Sequence, residues 1–248
     1  MSIIKPANRP LQVFFRSAPI PCPYLPDRQE SKLFTRLVPA SGADVNSALS
    51  QAGFRRSHDI VYRPVCPDCA ACVPVRVPVA RFAARRTLAR IRRRNADLAL
   101  RLVPAHPTLE QYRLFQAYQQ SRHGDGEMAR MSLADYCAMV EEGRADTVIV
   151  EARDAAGRLV AAMLTDRLAD GLSAVYCFFD PAETDRSLGT FMIVCLIETA
   201  QALERPYVYL GYFIAGSRKM AYKARFRPLE ALTPRGWEPV DEAAFPAG

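Results

Sequence analysis

The chain has 248 residues, of which 50% are hydrophobic and 24% charged, and its formal net charge is +7. That length holds one large domain or two small ones, and the balance of apolar and charged residues excludes a disordered or fibrous protein. No apolar run approaches the roughly 18 residues that a membrane-spanning helix requires. Tyr24 to Pro26 reads as a turn, and residues 28–37 as a strand or a short helix. Residues 44–52 predict a short helix stopped by Gly53, which suits the left-handed position after a helix end. Prolines at 64, 67, 74 and 78 make the next stretch one of loops and short edge strands. Residues 84–95 predict a basic helix, with Leu88 and Ile91 one turn apart as a thin apolar seam.

After Pro107 the pattern becomes regular. Thr108 and Gln111 are spaced as a capping box that opens a helix running to about residue 120. Ser121-Arg122-His123-Gly124-Asp125-Gly126 is too rich in glycine to continue it. Leu133, Tyr136, Cys137 and Val140 recur at i, i+3, i+4 and i+7, a second helix closed by Gly143. Strands over 147–152, 158–167 and 172–179 follow, joined by hairpin signals at residues 154–157 and 169–171. Next come a helix with Leu188, Phe191, Met192, Cys195, Thr199, Ala202 and Leu203 on one face, a strand over 206–210, and a basic helix over 217–225. Helix, helix, three antiparallel strands, helix, strand, helix is the element order of the N-acetyltransferase (GNAT) superfamily. The expected class is therefore α+β, a GNAT-like domain preceded by a small domain rich in Cys and Arg.

Charge is unevenly spread. Residues 1–105 carry 18 Lys/Arg against 6 Asp/Glu, whereas the remainder carries 15 against 20. Arg81, Arg85, Arg86, Arg90, Arg92, Arg93, Arg94 and Arg101 crowd one segment in which Asp97 is the only acid. One reading is a solvated face. The other is contact with nucleic-acid phosphates, which suits a run of one sign and the forked geometry of arginine. Counting arginines does not separate RNA from DNA.

Several residues bear on chemistry. Cys66, Cys69 and Cys72 stand at x2 spacing, with Cys22 and His58 as candidate fourth ligands for zinc or an iron–sulfur cluster. Free thiols in a tight turn are the alternative. Seven cysteines, an odd number, favour reduced thiols in a cytoplasm, and the N-terminus lacks the order of a secretory signal. Arg186-Ser-Leu-Gly189-Thr-Phe191 half matches the pyrophosphate loop of acetyl-CoA enzymes, Q/R-x-x-G-x-G/A, but Phe191 replaces a small residue and disfavours acetyl-CoA. There is no nucleophile elbow, no Gly-x-x-x-x-Gly-Lys loop and no His-Glu-x-x-His. His58, His106 and His123 are each more simply structural, His123 being the one worth testing. Lys219 and Lys223, four apart, predict either an anion nearby or a solvated helix face.

Several segments taken together resemble one family. They are Cys22-Pro-Tyr-Leu-Pro-Asp-Arg28, Lys32-Leu-Phe-Thr-Arg36, Gly53-Phe-Arg-Arg-Ser-His-Asp59, Tyr62-Arg63-Pro, Cys66 to Arg76, and Arg92-Arg-Arg-Asn95. Tyr176-Cys-Phe-Phe-Asp180-Pro, Ser187-Leu-Gly189-Thr and Tyr209 through Lys223 continue the likeness, which spans roughly residues 15–235. The chain resembles the arginyl-tRNA–protein transferase family, and within it the bacterial branch that transfers leucine. The resemblance implies a small N-terminal domain over 1–80 and a GNAT-like aminoacyltransferase domain over 81–248. It also implies transfer of leucine from leucyl-tRNA to proteins beginning with Asp or Glu, which marks them for N-degron degradation. The implied partners are thus leucyl-tRNA and acidic N-termini rather than DNA or a membrane, in the cytoplasm. Eukaryotic relatives carry a second cysteine near the first, where this chain has Leu25, so metal or cluster binding at Cys22, Cys66, Cys69 and Cys72 does not carry over.

An aminoacyl ester is already activated, so the reaction requires no covalent intermediate and no cofactor. An α-amine with a pKa of about 7.7–8.0 is partly neutral near pH 7 and attacks directly once amine and ester are held together. Tyr176, Asp180, Tyr209 and Tyr222 are the candidates for positioning and proton handling, and Arg28, Lys219 and Lys223 for the acidic side chain of the acceptor. Arg85, Arg86, Arg90, Arg92, Arg93 and Arg94 are the candidate tRNA contacts. Arginyl transfer by the same chemistry, a CoA-dependent N-acetyltransferase and a non-catalytic RNA-binding module are the alternatives.

Overall fold

A computed structural model describes residues 12–124 and 126–240, apart from the side chains of His123 and Arg218. The chain begins with β1 (Phe15–Arg16), β2 (Ile20–Pro21), β3 (Gln29–Glu30), β4 (Lys32–Arg36), α1 (Gly42–Gln51), β5 (Arg55–Ser57) and β6 (Ile60–Pro64). Strands β1, β4, β6 and β5 form a small sheet in that order, and β2 pairs with β3. Residues 28–37 thus resolve into strand. After α1 the chain turns at Gly53, where φ is +81°, a region that only glycine enters without steric cost. Leu37, Phe54 and Val61 make the small core of this part.

The rest of the chain contributes β7 (Val73–Pro78), α2 (Arg86–Arg94), β8 (Ala99–Pro104), α3 (Leu109–His123), α4 (Leu133–Glu141) and β9 (Thr147–Arg153). Then come β10 (Leu159–Leu168), β11 (Gly171–Phe179), α5 (Leu188–Ala202), β12 (Tyr207–Phe213), α6 (Arg218–Ala221), β13 (Glu230–Thr233) and β14 (Gly236–Pro239). Eight strands make one sheet in the order β14-β13-β7-β12-β11-β10-β9-β8. The fold is α+β and GNAT-like. Leu88 and Ile91 of α2 join α5 in a core on one face, over Val77, Val160, Val208 and Leu210. Phe115 of α3 and Tyr136, Met139 and Val140 of α4 pack with Ile149, Leu164 and Phe178 on the other. Thr108 caps α3 as its spacing predicts, accepting from the Gln111 amide at 3.1 Å while the Gln111 side chain accepts from Thr108 N.

Four expectations change. Residues 73–78, read among loops and edge strands, form an interior strand hydrogen-bonded to β12 on one side and β13 on the other. The prolines fit because Pro74 and Pro78 need only lack one N–H each, and β7 keeps its remaining ladder. Helix α3 extends through His123, because the glycines that could break it lie beyond its last turn. The middle of α5 is buried on all sides, from Phe191 to Ile197, rather than on one face. The basic helix expected over 217–225 is only the four residues of α6, followed by a tighter 3-10 turn at Tyr222–Arg225.

Candidate active site and nucleic-acid face

Strands β11 and β12 run parallel, but they pair only through Gly171–Ser173 and Tyr207–Tyr209. Beyond this, β12 keeps its ladder with β7, bulging between Tyr209 and Gly211, and β11 keeps its ladder with β10. The two strands therefore part company, and main-chain groups of β11 lose their sheet partners. Arg55 fills that need from β5: its Nη2 donates to Ala174 O at 3.3 Å and Val175 O at 3.1 Å. Gly211, at φ +74°, makes the room, since a Cβ there would lie 2.4 Å from Arg55 Nη1.

Alternation along β5 explains why Arg55 reaches the wedge. Its neighbour Arg56 points the other way, into a buried bidentate pair with Asp166 of β10, at 2.7 Å from Nε and 2.6 Å from Nη2. Asn46 of α1 and Thr147 of β9 complete the Asp166 carboxylate.

Lys223 lies near enough to Arg55 for their charges to interact. It is 2% exposed, and its Nζ donates to Tyr212 O at 2.5 Å. Burial first, then the charge of Arg55, hold its pKa well below that of an ordinary lysine. Lys219 is exposed, so the two lysines do not share a face. The 3-10 turn rotates Lys223 inward, which an α-helical i, i+4 reading could not foresee. Tyr222 packs edge-on against Phe226 at 6.3 Å, and burial pushes its phenol up to about 12. Tyr176 accepts from Gln119 Nε2 at 2.6 Å, and burial raises its phenol further still. Both tyrosines lie within electrostatic reach of Tyr118 and Cys177.

The other candidates stand elsewhere. The Asp180 carboxylate is taken by Arg158 Nη1 at 2.6 Å. Tyr209 sits at the closed base of the wedge, donating to Asp170 at 2.7 Å and accepting from Arg76 Nη1 at 3.1 Å. Arg28 is exposed on the loop beside the cysteines, 3.4 Å from Asp68 O. Of the seven proposed catalytic and acceptor-binding residues, Lys223 comes within electrostatic reach of Arg55 and Tyr176 stands on β11 just past the parting, packed on the α3 side of the sheet, whereas Tyr222 packs on the α5 side. Arg55 and Gln119 escaped the sequence reading. The available signal for Arg55 was its place in a short strand directly after the Gly53 turn, beside a second arginine that had to face the opposite way.

Helix α2 carries the arginine row on its outer side. Arg86, Arg90 and Arg93 are exposed and make no ion pair among the described residues. Arg92 is tied to Glu198 of α5 at 3.0 Å, and Arg94 to the Asp185 carbonyl. Arg85 is exposed and, with Arg81 and Arg227, lines a groove of about 440 Å³ next to α2.

Cys22, Cys66, Cys69 and Cys72 line a single small cavity with Tyr24, Arg28 and Glu30. Burial pushes the Cys72 thiol up to about 12, and the other three cysteines push it the same way. Among the described residues no three His, Cys, Asp or Glu side chains stand so as to hold a metal ion. His58 lends its carbonyl to Arg56 Nη1, His106 is exposed near Glu141, and the side chain of His123 lies outside the described residues. In the half-matched phosphate loop, Phe191 is fully buried in the core and does not itself obstruct the approach. The ring of Phe179 packs against Gly189, 3.1 Å from where a Cβ would be, and Arg186 is paired with Asp97 and Glu183.

Residues 20–90 match the model of the family described as Arginine-tRNA-protein transferase, N terminus, and residues 110–233 match that of its C terminus. The chain belongs to this transferase family. Its relatives include the aspartate/glutamate leucyltransferase of Paramagnetospirillum magneticum, 52% identical over 94% of this chain and 95% of that one. That of Parvibaculum lavamentivorans is 56% identical over 90% and 93%. Among solved structures, the C-terminal domain of a putative lysylphosphatidylglycerol synthetase from Agrobacterium fabrum shares the fold. Its TM-score is 0.50 at 16% identity, over 79% of this chain and 63% of that one. The wedge is built from both matched parts of the family, Arg55 from the first and β11 and β12 from the second. No helix among the described residues is long and apolar enough to cross a membrane.

Proposed function

We propose that this chain transfers leucine from leucyl-tRNA to the N-terminal Asp or Glu of acceptor proteins, in the cytoplasm, where the added leucine marks them for N-degron degradation. The observation that carries the reading is identity above 50%, over nearly the whole length, to relatives named for this transfer. The structure supports it with a positive helix face on α2 and a wedge that joins the two parts of the fold. In the reaction the α-amine of the acceptor attacks the ester carbonyl of leucyl-tRNA. A C–N bond forms, the C–O bond to the terminal ribose breaks, and the proton shed by the amine goes to the departing ribose oxygen. No redox step or metal is needed.

Three jobs fall to the protein: aligning amine and ester, holding the oxyanion, and anchoring the tRNA. Tyr176 and Tyr222 serve the second. Their raised pKa values keep both phenols protonated near neutrality, so they act as hydrogen-bond donors rather than bases. Gln119 donates to the Tyr176 oxygen, which leaves the Tyr176 hydroxyl hydrogen to point elsewhere. Arg86, Arg90 and Arg93 meet phosphates of the acceptor arm. Purified protein supplied with labelled leucyl-tRNA or arginyl-tRNA, and with peptides beginning Asp, Glu, Asn or Lys, tests the reading. Leucine on the Asp and Glu peptides alone is the expected result. Arginine in its place overturns the donor, and no transfer from either overturns the reaction.

A further inference from the structure

Most buried or half-buried arginines in this chain have a carboxylate. Arg56 has Asp166, Arg76 has Glu230, and Arg153 has Glu151. Arg55 has none. Its Nη2 is spent on the Ala174 and Val175 carbonyls, while Nη1 and Nε have no acceptor among the described residues. Lys223, buried nearby, donates to the Tyr212 carbonyl and the sulfur of Met220, lies over the Tyr222 ring, and meets no carboxylate among the described residues. Two basic side chains thus lie in electrostatic reach of each other with no acid between them. Such a pair is costly in a low-dielectric site until an anion joins it.

We propose that Arg55 is the specificity-determining residue for the acceptor, its guanidinium charge and the N–H groups it does not spend on β11 binding the side-chain carboxylate of the N-terminal Asp or Glu. The inference rests on the transfer reaction proposed above. A carboxylate brings the negative charge that the Arg55 guanidinium lacks, and a carboxamide brings none. The main-chain bonds to β11 and the bare Cα of Gly211 fix the plane of the guanidinium before any ligand arrives. An acidic residue seated there keeps its own α-amine a few bonds away, close to the parting of β11 and β12. The site therefore reads the side chain and presents the amine together.

Steady-state transfer from leucyl-tRNA to peptides beginning Asp, Glu, Asn or Gln tests this in the wild type, Arg55→Gln and Arg55→Lys. Arg55→Gln is expected to raise KM for the Asp and Glu peptides about tenfold or more. KM for the Asn and Gln peptides and for leucyl-tRNA should change far less, and Tm should fall because the Ala174 and Val175 carbonyls lose their donor. Arg55→Lys, which keeps the charge and loses the planar group, should fall between and serves if the Gln variant does not fold. An unaltered KM for acidic peptides, or an equal loss on all four, overturns the assignment. Should the wild type transfer nothing, the reaction above fails on its own. Calorimetric binding of an Asp-Ala dipeptide to wild type and to Arg55→Gln then decides the carboxylate site separately: binding lost with the arginine supports it, and binding equal or absent in both overturns it.

Discussion

Replacing Asp166 by alanine should unfold much of this protein's margin of stability. The carboxylate accepts from Arg56 Nε at 2.7 Å, Arg56 Nη2 at 2.6 Å, Asn46 Nδ2 at 2.9 Å and Thr147 Oγ1 at 2.8 Å. Both charged side chains are 1% exposed, so water cannot take over when one is removed. Breaking a buried pair from one side costs about 3–5 kcal/mol, against about 5–15 kcal/mol for a whole domain. With a urea m-value of about 2–3 kcal/mol per M, the midpoint should fall by about 1–2.5 M at unchanged slope. Removing both charges is a different perturbation. Arg56→Met with Asp166→Leu leaves no orphan and should recover most of the loss, because the pair's attraction is largely offset by its desolvation. Urea denaturation followed by tryptophan fluorescence of Trp237 and by circular dichroism measures all three proteins. A loss below about 1 kcal/mol in Asp166→Ala, or a double variant as unstable as the single one, would refute the reasoning.

The other predictions are smaller in scale. Arg90→Ala should weaken tRNA binding and lower the slope of log K against log salt by about 1, with Tm unmoved, as filter binding over a salt series would reveal. Gly211→Ala should destabilise by about 1 kcal/mol or more through its positive φ. By displacing Arg55 it should also raise KM for acidic peptides, and a variant with wild-type KM would contradict the packing described. The Cys72 thiol, pushed up to about 12, should gain thiolate about tenfold per pH unit from 7 to 10. Its alkylation by iodoacetamide, followed peptide by peptide, should climb accordingly, whereas a rate that levels off as pH 10 is approached would mean an ordinary thiol.

Periodicity made the C-terminal part legible and left the wedge hidden. Thr108 with Gln111, the three strands from 147 to 179 and the helix after Arg186 carry local signals that no distant contact needs to rescue. Residues 73–78 failed because proline reads as a breaker, and only the neighbours on both sides, β12 and β13, make that strand interior. The lysine pair misled for a related reason. A helix of four residues followed by a tighter turn does not keep the 3.6-residue period, so Lys223 faces inward and Lys219 outward. Arg55 carried no chemical signature at all. Its place depends on a parting of two strands more than 100 residues downstream, and on a glycine whose role shows only once the arginine lies against it.

The course of β7 has a consequence for how the molecule can be taken apart. The segment between the cysteines and α2 supplies the strand that flanks β12, so each half of the chain completes the other's hydrogen bonding. A fragment starting near residue 80 would leave the long flank of β12 bare, apolar and ready to pair with another copy of itself. The halves are therefore poor modules for shuffling between homologues. A chimera should be joined before residue 73, and coexpressed fragments cut at 80 should aggregate rather than reassociate.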